Sequence, residues 1–202
     1  MSRGYDQYCP IAHALNLVGE RWALLVVREL MHGPKRYTDL AGNLGIGTNI
    51  LAARLRDLEA HGIVTKRTLP PPSATRVYDL TDYGRELKPA LRELGLWAAR
   101  SLGPPTDDDE LFPGWLENPV DWILAPVAPP GRFEFRVGDE VASLVDGEVR
   151  RGSIDDPDVV VEGDAEAMYW LFVDRRLDAV SIEGDRDLLE RLIDVAPAPI
   201  DA

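Results

Sequence analysis

The sequence predicts an α+β protein in two parts: a mainly α N-terminal part with one β-hairpin, and a small C-terminal α+β sheet domain. Three observations predict it. Helical spacing of apolar residues dominates the first part, whereas short alternating runs rich in Val and Phe dominate the second. Between them lies Gly103-Pro104-Pro105-Thr106, followed by Asp107-Asp108-Asp109-Glu110, which breaks any periodicity. Charge divides at the same place. Residues 1–104 carry 14 Lys+Arg against 10 Asp+Glu, and residues 105–202 carry 8 against 25. The net charge of −13 therefore conceals a mildly basic part and a strongly acidic one. The domains are expected at 1–104 and 105–202.

The elements follow in order. Residues 8–18 form a short helix, with Pro10 in a first turn that tolerates it and residues 11, 14, 15 and 18 on one face. Residues 21–32 repeat the period with Trp22, Leu25, Val26 and Leu30 inward, and Gly33-Pro34 ends them. Tyr37–Asn43 is a third helix, Gly45 and Gly47 make a tight turn, and 48–61 is a fourth helix stopped by Gly62. Ile63–Leu69 is a strand, Pro70-Pro71-Pro72-Ser73 an exposed tip that cannot pair, and Thr75–Leu80 the return strand. Thr81 caps a long helix running to about Ser101, bent at Pro89. Helix, turn, helix, strand, tip and strand are the parts of a winged helix-turn-helix with a β-hairpin wing. Beyond the breakers, 111–120 is expected helical. Strands follow at 132–137, 141–145, 148–151, 158–162 and 180–183, with helices at 164–174 and 186–195. Asp146-Gly147 is the hairpin signal among them.

Composition excludes several classes. Hydrophobic residues are 45% and charged residues 28%, as in globular proteins. No apolar run approaches the ~20 residues of a membrane span, and the N-terminus lacks a signal core, so a cytoplasmic protein without a membrane partner is expected. A single cysteine, Cys9, leaves no internal disulfide and fits a reducing compartment. His13, His32 and His61 are too dispersed for a metal site, and no nucleophile elbow, phosphate loop or paired-cysteine motif is present. Neither an enzyme, a metal nor a cofactor is expected, and the acidic run reads as a solvated linker.

The fourth helix reads as the recognition element. At about 100° per residue, Leu55 and Leu58 fall near Leu51 and make the buried stripe. Asn49, Ala52, Ala53 and Arg56 take the opposite face. Asn can pair with adenine and Arg with guanine, while Ala leaves room for a close approach. Thr48 and Asn49 begin the helix, where backbone amides favour phosphate. A surface helix of a bundle can look the same, and each cation alone reads as a solvated charge. Their grouping argues for double-stranded DNA: Lys35 and Arg36 enter the motif, Lys66 and Arg67 lie on the first wing strand, and Thr75 and Arg76 open the second.

Residues 9–97 resemble the HxlR-type winged-helix transcription regulators of bacteria, relatives of the MarR group. The resemblance rests on Cys9-Pro10-Ile11, Gly19-Glu20-Arg21-Trp22, Gly33-Pro34-Lys35-Arg36-Tyr37, Arg54-Leu55-Arg56, Gly62-Ile63-Val64 and Val77-Tyr78-Asp79-Leu80-Thr81. It implies a homodimer on a pseudo-palindromic operator, held mainly by the first helix and the helix after the wing. Asn49 stands where such proteins often have Lys, and the wing has more Pro than usual, so no operator sequence carries over. The resemblance also makes Cys9 a candidate redox or electrophile sensor. Its place at a helix start favours thiolate, and the alternative is a small apolar residue packed under Trp22 or a partner helix.

The C-terminal part resembles the sterol-carrier-protein-like fold in element order and in two Gly-Asp helix starts, Gly163-Asp164 and Gly184-Asp185. Ordinary N-capping explains those starts equally well. The resemblance implies an apolar cavity for a small hydrophobic effector, with Trp115, Trp122, Tyr169, Trp170 and Phe172 as candidate lining residues; core packing is the other reading. Tyr169 and Trp170, adjacent on one helix, must face different ways. The rival to a regulator is a small hydrophobic-ligand carrier or protein-interaction module whose winged helix does not bind DNA.

Overall fold

The computed structural model describes residues 4–106 and 109–196; Asp107 and Asp108 lie outside them. The chain divides into two compact units, Met1–Leu91 and Arg92–Ala202. The division falls inside a helix, upstream of the expected boundary at 104. From Arg92 onward that helix packs within the second unit, where Arg92 Nε donates to the Trp122 carbonyl at 2.8 Å.

The first unit contains α1 (Pro10–Val18), α2 (Ala23–Met31), α3 (Tyr37–Leu44), α4 (Thr48–Ala60), β1 (Val64–Thr68), β2 (Arg76–Leu80), α5 (Asp82–Arg85) and the start of α6 (Lys88–Leu102). Its core joins Val26, Val27 and Leu30 of α2 to Leu40 of α3 and to Leu51, Leu55 and Leu58 of α4. The three α4 leucines are 0–1% exposed, so the expected stripe is the packed face. Each such leucine contributes about 1.5–3 kcal/mol on burial. Two expected faces differ. On α1, Ala12 and Val18 are buried while Ile11 and Leu15 are exposed. On α2, Val27 replaces Leu25 in the core: Trp22 takes a left-handed φ of 77°, the helix starts at Ala23, and Ala23, Val26, Val27 and Leu30 make its buried stripe.

The helix expected from Thr81 with a bend at Pro89 is two helices. A turn at Glu86-Leu87 separates α5 from α6, and Pro89 lies in the first turn of α6. There its missing N–H breaks no helical bond and its ring meets no preceding turn, so a fresh start costs less than a kink.

In the second unit the expected helix at 111–120 gives way to turns. Helical structure begins with α7 (Glu117–Pro119) and continues as a wide π turn over Val120–Leu124 and a 3₁₀ turn over Ala125–Val127. Five strands follow: β3 (Arg132–Val137), β4 (Glu140–Val145), β5 (Glu148–Arg151), β6 (Val159–Glu162) and β7 (Ser181–Gly184). They form one sheet in the order β5-β4-β3-β6-β7. Only β3 and β6 run parallel, and the connection between them carries the chain from one half of the sheet to the other. Helix α8 (Ala165–Asp174) lies between β6 and β7 in sequence, and α9 (Arg186–Val195) ends the described chain. Asp164 and Asp185 cap these helices, accepting from the Ala167 and Leu188 amides. Phe133, Phe135, Leu144, Val159 and Val161 of the sheet pack with Met168 and Leu171 of α8 and Leu189 and Leu192 of α9.

Candidate nucleic-acid interface

The angle between α3 and α4 is set by short-range chemistry. Gly45 ends α3 at φ 58°, a left-handed conformation that glycine adopts without a steric cost. The Tyr37 hydroxyl donates to the Thr48 carbonyl at 2.5 Å, tying the start of α3 to the start of α4. Asn43 donates to the buried Glu29 carboxylate at 3.0 Å, which anchors the end of α3 to α2. With these ties α4 turns Leu51, Leu55 and Leu58 inward; Asn49 and Arg56 are exposed, and Ala52 and Ala53 are half-buried. Gly47 precedes α4 and supplies no side-chain cap, so the first amides of the helix are open to an anion.

The wing is held to the helices by a bridge that sequence reasoning missed. Lys35 pairs with Tyr78 as a short third strand: its N–H donates to the Tyr78 carbonyl at 3.0 Å, and its carbonyl accepts from Tyr78 at 2.8 Å. This fixes Lys35 and Arg36 beside β2. Arg36 reaches Thr75 at 3.5 Å, and Thr75 donates to the Ser73 carbonyl at 2.8 Å, closing the tip.

The cations of this surface fall into two groups. Arg67 donates to Asp79 at 2.7 Å, and Arg85 binds the same carboxylate at 2.9 Å. Asp79 is only 4% exposed, so these arginines neutralise a buried charge. Lys66 pairs with Glu59 at 2.7 Å and lies over the Tyr78 ring; the Glu59 hydrogen bond holds its ammonium above the usual lysine range. By contrast Lys35, Arg56 and Arg76 form no ion pair among the described residues, and Arg56 and Arg76 are exposed. Arg67 is thus tied into the wing, while Arg56 and Arg76 carry charge that no described residue pairs. Arg54, next to the reading face, turns back to Asp57 at 3.1 Å and Glu20 at 3.7 Å.

Cys9 is half-buried and holds the extended cap position of α1. The ligand-pocket candidates lie in the second unit. Trp115, Trp122, Tyr169 and Phe172 line a cavity of about 360 Å³ together with Leu96 and Ala99 of α6. Trp170 is not among its lining residues: its indole N–H donates to Glu166 at 3.1 Å, and Arg176 lies over its ring. Gly95 is the close approach that the cavity wall needs. A Cβ there would stand 2.4 Å from the Trp122 ring. Asp109, expected in a solvated linker, lines the same cavity. Among the described residues no group of three His, Cys, Asp or Glu gathers in metal-binding geometry, and no helix is long and apolar enough to cross a membrane.

Residues 17–105 match the family described as HxlR-like helix-turn-helix. The uncharacterized HTH-type transcriptional regulator sll1512 of Synechocystis sp. is 42% identical over 84 residues, 41% of this chain and 62% of its own length. The HTH-type transcriptional regulator YodB of Bacillus subtilis is 35% identical over 98 residues, 48% of this chain and 88% of its own length. The solved reduced form of YodB shares 33% identity, covering 50% of this chain and all of that one, with a TM-score of 0.42. Quinone-bound and diamide-treated YodB have also been solved, each with a TM-score of 0.39. These matches each span about half of this chain or less.

Proposed function

The chain belongs to the HxlR-like helix-turn-helix family of transcriptional regulators, and from that premise we propose that it binds operator DNA as a cytoplasmic homodimer under the control of a small ligand or of Cys9. The observation that carries this reading is the set of unneutralised cations around α4. Asn49, Ala52, Ala53 and Arg56 form the exposed or half-buried face of that helix, and Lys35, Arg36 and Arg76 flank it. Arg56 and Asn49 read base edges in the major groove, and Arg76 and Arg36 hold phosphate. Two recognition helices about 34–36 Å apart would match half-sites one turn apart on a pseudo-palindrome.

Dimerisation is supported by apolar side chains that each unit leaves exposed. Tyr8, Ile11 and Leu15 are exposed on and before α1, and Leu94 and Trp97 are exposed on α6. Large apolar side chains left exposed in this way suit burial against a partner. Ligand control is supported by the second unit, whose strand order and apolar cavity suit a sterol-carrier-protein-like domain. Thiol control is supported by the half-buried Cys9 and by the diamide-treated and quinone-bound forms of YodB. The cavity equally suits a ligand carrier whose winged helix leaves DNA alone.

Footprinting of the purified full-length chain on DNA upstream of its own coding region separates the two. The regulator protects a symmetric site of two half-sites. A carrier protects nothing at any concentration that leaves random DNA free.

A further inference from the structure

We propose that the cavity of the second unit is a receptor site for hydrophobic organic cations, aromatic ammonium compounds with about two fused rings. The proposal deepens the ligand-controlled reading above and rests on it for its biological role. Three independent features select this chemistry.

The first is size. The cavity of about 360 Å³ compares with ~150 Å³ for an apolar cavity that takes up benzene. Two fused rings with a short substituent fit the larger space.

The second is the wall. Trp115, Trp122, Tyr169 and Phe172 come from different stretches of the unit and converge on one space. Aromatic faces carry negative quadrupole potential, so such a group attracts a cation that is also apolar. The remaining lining is aliphatic, from Leu96 and Ala99 of α6 among others.

The third is charge. Asp109 is the only charged group among the described lining residues. The Thr106 amide and hydroxyl both donate to Asp109 Oδ2 at 2.8 Å, and these bonds hold its carboxyl below the usual range. It is therefore ionised at neutral pH. The surrounding unit adds to the field: residues 92–202 carry 26 Asp+Glu against 10 Lys+Arg. A fatty acid or other anion meets repulsion here, and a neutral hydrocarbon gains nothing from Asp109.

Calorimetric titration of the full-length chain with three naphthalene probes tests this. They are (naphthylmethyl)trimethylammonium, its neutral carbon isostere neopentylnaphthalene, and naphthylacetate. The cation should bind at least about tenfold more tightly than the isostere, and naphthylacetate most weakly. Asp109→Asn should abolish most of that preference while leaving the isostere's affinity unchanged. Tyr169→Ala should weaken cation and isostere together. Circular dichroism of both variants checks that they fold, and Asp109, being exposed, is a mild site to change. Isostere binding equal to or tighter than cation binding would overturn the cation assignment and leave an apolar effector in place. Binding by none of the probes would overturn the site itself. Tight cation binding by a chain that protects no DNA would leave the site standing and remove the regulator reading.

Discussion

In the first unit the buried Asp79 takes Arg67 and Arg85, and what is left over is cationic: Arg56 and Arg76 face solvent unpaired. In the second unit the buried Glu134 takes Arg136 and the buried Glu117 takes Arg151, and what is left over is carboxylate. In each unit these buried carboxylates stand against arginine, which offsets the desolvation of a lone charge. They differ in the surplus. Residues 1–91 carry 12 Lys+Arg against 9 Asp+Glu, whereas residues 92–202 carry 10 against 26. The lesson is that an arginine's proximity to the recognition helix does not assign it to DNA. The unpaired ones are available, and the paired ones already hold the fold.

Five substitutions, at four positions, break or sharpen this comparison. The largest effect belongs to Glu134→Ala. The Glu134 side chain is fully buried and accepts from the Ile154 amide at 2.9 Å as well as from Arg136. Its loss should cost about 3 kcal/mol, seen as faster hydrogen exchange across β3 and β6 with the first unit unaffected. Burial pushes the Glu134 carboxyl up, but the Ile154 amide and Arg136 outweigh it and hold it below the usual range. The folded value is the lower one, so this stabilisation is complete above the unfolded value, near ~4.3. It is lost as pH falls through the folded value. Glu134→Gln should flatten that acid limb.

Next is Arg56→Ala, which should cost about 1–3 kcal/mol at the operator and relax base preference. Arg67→Ala should cost about 1.5 kcal/mol in stability of the first unit, because Asp79 keeps Arg85 but loses a charged hydrogen bond. Its salt dependence of DNA binding should match wild type; a slope reduced by a full phosphate contact would mean that Arg67 leaves Asp79 for DNA. The smallest effect is that of Arg76→Ala, a uniform weakening on all sequences with the salt slope reduced by about one.

How far the chain could be read from sequence follows from the range of the forces involved. The helices α3 and α4 and the wing strands follow from local periodicity and from Gly45, Gly62 and the prolines of the tip, and they stand within one or two residues of expectation. The break between α5 and α6 was obscured because leucines at 87, 91 and 94 keep helical spacing across it. The engagement of Arg67 depends on Asp79, which lies near it only through the β1–β2 register, Arg67 standing opposite Val77. The Lys35 bridge has no local signal, since a one-residue strand shows no alternation. In the second unit, the different facing of Tyr169 and Trp170, about 100° apart on the helix, follows from helical geometry, but which one meets the cavity is set by packing against residues far away in sequence. Asp109 sits in a run whose composition reads as solvated linker, and its place at the cavity comes from the path of the chain, not from its type.

The division of labour between α4 and the wing is the central claim, and the ratio of specific to random DNA affinity measures it most directly. Fluorescence anisotropy on the footprinted operator and on a shuffled duplex, across a salt series, gives that ratio for wild type, Arg56→Ala and Arg76→Ala. The ratio should fall by about tenfold or more for Arg56→Ala and stay at the wild-type value for Arg76→Ala. A fall of equal size in both variants, or in neither, would contradict the account.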